Sequence, residues 1–447
     1  MNIPMSMQAL LTQFKKWRWD RQREQEMQAW AKARRQQQRA GSTSQSQKTQ
    51  TLIFLCEEFF HPDLRGYGGF GKTVKNIAEH YNGAPSGDTR VALAFPQATN
   101  LVKQPESRKY HETSVVLRPD EGKLCTATLD KYGDLIASLN PRALISIDWY
   151  PSYAISSYAL NATPLIVWIH DPRDREEWEK IAAIADEMRF RGLHSAHQLI
   201  ALAREKSISI KRLFALQELL PRKIVFCTTA RTLIPRAERT YAMSPIAAHW
   251  LPNPIEIPDV QVIEFSEKPC LLYLGRLDAV KRPWIAFELA KRYPDVDFLI
   301  AGQAHNVELM TPWIESYRHL PNLKLLGHVD GQAKDHLLRT CWGVLNTSVH
   351  EAEPVSFLEA FSYGKCIVSC HDPDSEVTKF GYFTGEVLGE GLDEAGIGRF
   401  SEQIKRLISN TKERRDKGQC AREEMLKNHT FHSFDNQLKA ILDAEGI

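Results

Sequence analysis

The sequence predicts an α/β protein built from two doubly wound, Rossmann-like domains facing across a cleft. Three observations carry that expectation. Short apolar runs bounded by turn residues alternate with helical stretches in both halves of the chain. The chain's 447 residues exceed what one hydrophobic core ordinarily serves. The composition, 43% hydrophobic and 25% charged with a net charge of +2, is ordinary for a soluble globular protein and excludes a nucleic-acid-binding polycation. The expected layout is a basic extension and polar linker over 1–48, a first domain over 49–254 and a linker over 255–268. A second domain follows over 269–430, then a C-terminal helix over 431–447 that returns to the first domain.

The extension comes first. Met7, Leu10, Leu11, Phe14 and Trp17 recur at helical spacing, and residues 1–40 carry nine basic against three acidic residues, a net +6. Such a helix suits an anionic membrane surface. A solvated helix with no partner fits the same pattern. Ser42, Thr43, Ser44 and repeated glutamines read as a linker.

In the first domain, strands are expected at Thr51–Cys56, Arg90–Phe95, Thr113–Leu117, Ala143–Asp148, Pro164–Ile169 and Lys223–Thr228. After the first of them comes Gly66-Tyr67-Gly68-Gly69-Phe70-Gly71-Lys72-Thr73, then a helix over Val74–Tyr81. Literally this is the phosphate-cradling P-loop pattern, and Asp148 ends its strand as a Walker-B aspartate would. A P-loop follows its strand almost directly, however, and here residues 57–65 intervene. Glycines at 68 and 69 also suit a backbone that closes on a ligand, or simply a turn. His170 ends a strand, where open α/β sheets bind ligands. A packing or capping histidine fits there equally well. Residues 173–222 read as long helices.

In the second domain, strands are expected at Pro269–Leu274, Asp297–Gly302, Lys324–Gly327, Gly343–Thr347 and Cys366–Cys370. Gly275-Arg276-Leu277-Asp278 follows the first, and Lys281 lies just beyond. Arg276 offers a planar fork for phosphate oxygens and Lys281 a compact charge. After the fourth strand a helix starts at Pro354 and stops at Gly364. Free amides around Pro354, Val355 and Ser356 would make an anion site, flanked by the carboxylates of Glu351 and Glu359. That combination suits a ligand that is part phosphate and part polyol. Asp295-Val296-Asp297 and Asp372-Pro373-Asp374 fit a metal-binding pattern but lack further ligands nearby, so no metal is expected. The eight cysteines lack zinc spacing and read as reduced packing residues. No apolar run reaches the ~20 residues that span a bilayer. With no signal peptide legible, a cytoplasmic protein is expected.

The order Gly275-Arg276…Lys281, then Val349-His350-Glu351-Ala352-Glu353-Pro354-Val355-Ser356-Phe357-Leu358-Glu359-Ala360, resembles family-4 retaining glycosyltransferases with their Glu-x7-Glu segment. The resemblance spans roughly 51–430 and implies the GT-B fold. It further implies transfer of a sugar from a nucleotide-diphosphate sugar to an acceptor hydroxyl, with retention of configuration. Glu351 would then touch the donor sugar and Glu359 the ribose. Arg276 and Lys281 would bind the diphosphate with the helix-start amides, while Gly68, Gly69, Gly275 and His170 line the donor. The donor is a substrate, so no cofactor is implied. The acceptor stays open between a lipid, a polysaccharide intermediate and a protein, and residues 1–40 offer a surface for the inner face of a cytoplasmic membrane. Two readings of other classes stand beside it, a P-loop NTPase and a non-catalytic GT-B scaffold.

Overall fold

The structure, a computed structural model, describes residues 21–40, 49–59, 68–83, 89–96, 105–110, 112–119, 125–184, 196–260, 262–304 and 306–447. The chain forms two compact units. The first comprises Met1–Pro172, Ala201–Pro254 and Phe434–Ile447; the second comprises Arg173–Ile200 and Ile255–Ser433.

The elements run in chain order from helix α1 (Arg21–Ala40) through strand β1 (Gln50–Leu55), α2 (Gly69–Gly83), β2 (Thr89–Phe95), β3 (Glu106–Tyr110) and β4 (Thr113–Leu117). Next come α3 (Thr126–Ala137), β5 (Pro141–Ile147), α4 (Ala154–Ala159), β6 (Leu165–Ile169), α5 (Arg175–Ala182), α6 (Ala196–Leu219), β7 (Ile224–Thr228), α7 (Leu233–Tyr241) and β8 (Ala248–Trp250). The sheet of the first unit has the order β3-β4-β2-β1-β5-β6-β7-β8 among the described residues. Only the β3–β4 pair is antiparallel. Leu52–Leu55, Leu144, Ile145 and Leu165–Ile169 are buried on both faces of their strands, as parallel strands under two layers of helices must be.

The second unit continues with β9 (Cys270–Leu274), α8 (Pro283–Arg292), β10 (Asp297–Ala301), α9 (Val307–Tyr317), β11 (Leu323–Gly327), α10 (Gly331–Thr340) and β12 (Gly343–Asn346). Then follow α11 (Val355–Ser362), β13 (Cys366–Ser369), α12 (Glu376–Phe380), β14 (Tyr382–Phe383), α13 (Glu394–Ser409), α14 (Thr411–Asn428) and α15 (Phe431–Ala444), whose residues from Phe434 on belong to the first unit. Its sheet is wholly parallel, in the order β11-β10-β9-β12-β13-β14. That order reverses direction between β9 and β12, the switch point at which doubly wound sheets bind ligands. Gly364 ends α11 at φ +69°, the left-handed conformation that glycine tolerates.

Three expectations need correction. The extension is not a free arm where it is described: α1 packs on the first unit and buries Met27, Trp30, Ala31 and Arg34. Trp30 Nε1 donates to Asp130 at 2.7 Å, and Arg34 pairs with Asp134 at 3.0 Å. Gly133, between those aspartates on α3, leaves the space the Arg34 guanidinium occupies. Charges that look like a membrane-facing surface in the sequence are thus partly consumed inside the protein. The Met7–Trp17 stripe and the linker over 41–48 lie outside the described residues. Second, Arg173–Ile200 join the second unit, although the sequence runs them on from the first. Third, β3 is a strand although Glu106-Ser107-Arg108-Lys109 is polar, because an edge strand has no second neighbour and can keep charges in water.

Candidate active site

β9 and β12 lie side by side, Val344 opposite Leu272 and Leu345 opposite Tyr273, so the loops that follow them emerge together at the switch point. Between β9 and α8 the chain turns tightly. Asp278 caps the turn, its carboxylate accepting from the Lys281 amide at 3.0 Å and pairing with Arg276 Nε at 3.1 Å. The Tyr273 hydroxyl donates to the Arg276 carbonyl at 3.0 Å, which fixes the far side of the loop. Gly302, at the end of β10, is where the Gly275 carbonyl packs so closely that a side chain could not fit. Around Gly275 itself a Cβ would meet only the Tyr273 ring, at 3.9 Å, so nothing in the protein's own packing calls for glycine there.

Arg282 is the residue that sequence reasoning missed here. Its side chain is fully buried and its backbone sits at φ +45°. All five of its N–H groups have partners: Nε donates to Thr347 O at 2.7 Å, Nη1 to Val387 O at 2.8 Å and Gly389 O at 2.9 Å. Nη2 donates to Ser348 O at 2.9 Å and to Cys370 Sγ at 3.3 Å. It ties the β12 loop to the 387–389 segment. In the sequence it is one more basic residue beside Lys281, with nothing to mark it as internal.

On the β12 loop, Glu351 is buried and its Oε1 gathers three donors. Lys281 Nζ lies at 2.5 Å, Ser348 Oγ at 2.6 Å and Asn346 Nδ2 at 2.9 Å. Burial alone would raise its pKa, but the Lys281 charge and these hydrogen bonds outweigh that and hold it at about 2. Glu351 is therefore ionised and oriented. His371, after β13, lies near it and donates from Nε2 to the Ser348 carbonyl at 3.0 Å. Burial lowers the His371 pKa to about 4. Asn346, Ser348 and His371 follow the rule that ligand groups gather at strand ends, the one signal that could have found them. His350 turns the other way, to the buried Glu177 on α5, with Nδ1 and Oε2 2.5 Å apart.

At the start of α11 one assignment changes. Pro354 has no N–H and cannot donate to an anion. It is the N-cap, and its carbonyl accepts from the Phe357 amide at 2.9 Å. Val355 and Ser356, partly exposed in the first turn, carry the amides that lack intrahelical acceptors. Further along α11, Glu359 pairs with Lys334 of α10 at 2.5 Å. Arg276 is 42% exposed, its charge accessible to a ligand. The structure thus gathers Gly275, Arg276, Lys281, Glu351, Val355 and Ser356 around the β9 and β12 loops of one sheet, with Glu359 one turn along the helix.

Gly68, Gly69 and His170 belong to the first unit. A side chain at Gly68 would collide with the Glu58 carboxylate. His170, only 3% exposed, is wedged edge-on against Trp168 at 4.4 Å and Phe70 at 5.3 Å, ring centroid to centroid. Its Nε2 makes no hydrogen bond, and burial pulls its pKa down to about 3, so the ring is neutral. Elsewhere along the strand ends of the same sheet, Arg118 after β4 donates to Glu57 after β1 at 2.7 Å, a pair the sequence did not single out.

The P-loop reading does not survive this geometry. Helix α2 already begins at Gly69, the Lys72 amide bonds back to Gly68 O at 3.3 Å, and Thr73 is buried. A phosphate cradle needs those amides free. Gly66 lies outside the described residues. Asp148 is consumed by Lys206 at 2.5 Å and Tyr241 at 2.8 Å. The two Asp-x-Asp patterns are structural as well. Asp372 caps α12 by accepting from Val377 N at 2.8 Å and Thr378 N at 3.0 Å, and Asp297 pairs with Lys324 at 2.5 Å.

Residues 257–424 match the family model described as Glycosyl transferases group 1. No curated protein matches the chain. Among solved structures, HepE from Anabaena in complex with UDP-glucose aligns at 14% identity with a TM-score of 0.60, covering 88% of this chain and 99% of its own. Sucrose-phosphate synthase from Thermosynechococcus elongatus aligns at 12% identity with a TM-score of 0.64, covering 88% and 98%. The lipopolysaccharide outer core galactosyltransferase WaaB aligns at 16% with a TM-score of 0.57, covering 88% and 99%. The fold is the GT-B fold, two parallel-sheet α/β units.

Proposed function

We propose that the protein is a glycosyltransferase that moves a sugar from a nucleotide-diphosphate sugar to an acceptor hydroxyl, with retention of anomeric configuration. The observation that carries this reading is the Lys281–Glu351 pair at the switch point of a sheet lying within the region that matches group 1 glycosyltransferases. As the glycosidic bond breaks, negative charge grows on the diphosphate. Arg276, Lys281 and the amides of Val355 and Ser356 are the groups that would stabilise it. Glu351 would accept hydroxyl protons of the donor sugar, and Glu359 those of the ribose. With three donors on one oxygen and a pKa near 2, Glu351 is a poor nucleophile. That favours attack from the leaving-group face, the departing phosphate taking the acceptor proton.

UDP and UDP-glucose are the first ligands to test, because structural relatives were solved with them. The expected result is a thermal shift with UDP and UDP-sugars, unchanged by EDTA, and weaker shifts with ADP and GDP. Failure of every nucleoside diphosphate to bind sinks the proposal. The anomeric signal of the first product in a proton NMR time course decides retention. Binding without turnover on any lipid or polysaccharide acceptor would favour a scaffold instead. An anionic membrane as the place of action rests on residues 1–20, and no described helix is long and apolar enough to cross a bilayer.

A further inference from the structure

We propose that the first unit carries a second binding pocket, closed by helix α1, for a small apolar body bearing a primary ammonium group. The pocket is a cavity of about 170 Å³ between α1, the segment after β5 and one face of α6. Its walls are apolar: Trp149, Pro151 and Ala154 on one side, Ile208 and Leu213 on the other. A dry protein cavity of roughly 150 Å³ takes benzene, so one aromatic ring or a short branched alkyl group fits the space.

The polar groups set the rest of the ligand. Glu24 of α1 and Glu205 of α6 face the cavity, and Arg212 is the one cation among the described residues of its lining. The lining therefore carries one net negative charge. Glu24 Oε1 accepts from Tyr158 at 2.5 Å and Gln28 at 3.2 Å, but its Oε2 is buried and receives no hydrogen bond. Arg212 Nε forms an ion pair with Oε2 at 3.6 Å, beyond hydrogen-bond reach. Glu205 is half-buried, and desolvation holds its carboxyl above the usual range with no cation offsetting it. The other polar side chains of the lining are occupied: Ser209 Oγ accepts from Trp149 Nε1 at 3.1 Å, and the Tyr158 hydroxyl is spent on Glu24. What the described lining lacks is a compact cation with several N–H donors. An ammonium supplies three. A carboxylate ligand would meet like charge, and a hydroxyl would leave the charge unbalanced. Ile208, 40% exposed, sits where such a ligand would enter.

The inference does not depend on sugar transfer, and its test uses neither donor nor acceptor. Benzylamine, benzyl alcohol and benzoate are titrated calorimetrically into the full-length protein near pH 7. Benzylamine should bind saturably, about tenfold or more tighter than benzyl alcohol, the scale of a charge-assisted hydrogen bond. Benzoate should give no saturable heat. Glu205→Gln should weaken benzylamine by a similar factor, and Ile208→Trp should remove binding by filling the cavity. Circular dichroism reports whether each variant folds; Glu24→Gln serves if Glu205→Gln does not. Absence of saturable benzylamine binding, equal binding of benzoate, or an affinity untouched by the carboxylate and Ile208 substitutions would each overturn the proposal.

Discussion

Lys281 and Glu351 are each other's partners, so removing either alone leaves a largely buried charge behind. Lys281→Ala should lower kcat roughly 10²–10³-fold, the scale of losing one charge-stabilising donor, and should also lower Tm by several degrees. Pairing it with Glu351→Gln should restore most of the Tm and none of the activity. Arg276→Ala should cost comparable activity with little change in Tm, since Arg276 is 42% exposed. Wild-type kcat in Lys281→Ala and Arg276→Ala would remove the phosphate clamp from the mechanism. His170 makes a separate prediction about pH. Its pKa falls from 6.5 in the unfolded chain to about 3 in the fold. Between those values the unfolded state binds the extra proton, so stability is full above about pH 6.5 and is lost as pH falls toward 3. His371, lowered to about 4, acts in the same direction. Glu351 adds its loss only later, as pH drops from 4.5 toward about 2. Urea midpoints should therefore decline from near neutrality downward, and His170→Gln should flatten that slope between pH 6 and 4. An unchanged slope in the variant would show that the buried imidazole does not set it.

At the scale of elements, the buried strands were the most legible part of the chain. Leu52–Leu55, Val91–Phe95 and Leu165–Ile169 are continuous apolar runs, and a strand buried on both faces has no other pattern to show. β3 and β14 escaped notice because one is polar and the other is two residues long. At the candidate site, the residues Arg276, Lys281, Glu351 and Glu359 could be read from their motif, but their pairings could not. Nothing in the sequence says that Lys281 meets Glu351 while Glu359 meets Lys334. Arg282 and Trp30 failed for a shared reason: burial of a polar or amphipathic side chain depends on acceptors distant in sequence, which no local pattern records. For α1 this has a practical consequence. Trp30→Ala should destabilise the first unit by about 3 kcal/mol, the usual cost of a large-to-small core change. Deleting residues 1–48 should therefore lower Tm. Sedimentation with anionic liposomes then separates anchor from brace. If the 21–447 protein still pellets at low salt, residues 1–20 are not the membrane contact.

The two units of the molecule are interleaved in sequence. The first unit is completed by Phe434–Ile447, at the end of the chain, and the second takes Arg173–Ile200 from the middle. A cut at the apparent linker near 254–255 would therefore not release the first unit intact. Phe434, Leu438, Ile441 and Leu442 are buried in it, and Phe434 meets Trp168 with ring centroids 5.6 Å apart. Polar ties flank them: Asp435 to His80 at 2.9 Å, Arg142 to the Ile447 carbonyl at 3.0 Å, and Glu445 to Lys223 and His249, each at 2.9 Å. Burial of four such side chains contributes roughly 1.5–3 kcal/mol each, before the entropy of ordering the helix is deducted. The gross sum is comparable to the roughly 5–15 kcal/mol that holds an ordinary domain together. A fragment of residues 1–254 should then be aggregation-prone or molten, with a broad, weakly cooperative urea transition. Supplying residues 430–447, joined to it by a flexible linker, should restore cooperativity and raise the urea midpoint, although the segment adds no catalytic group. The two urea curves, followed by far-UV circular dichroism, are the measurement. Cooperative unfolding of the bare 1–254 fragment at the same midpoint would show that the terminal helix rides on a core already complete without it.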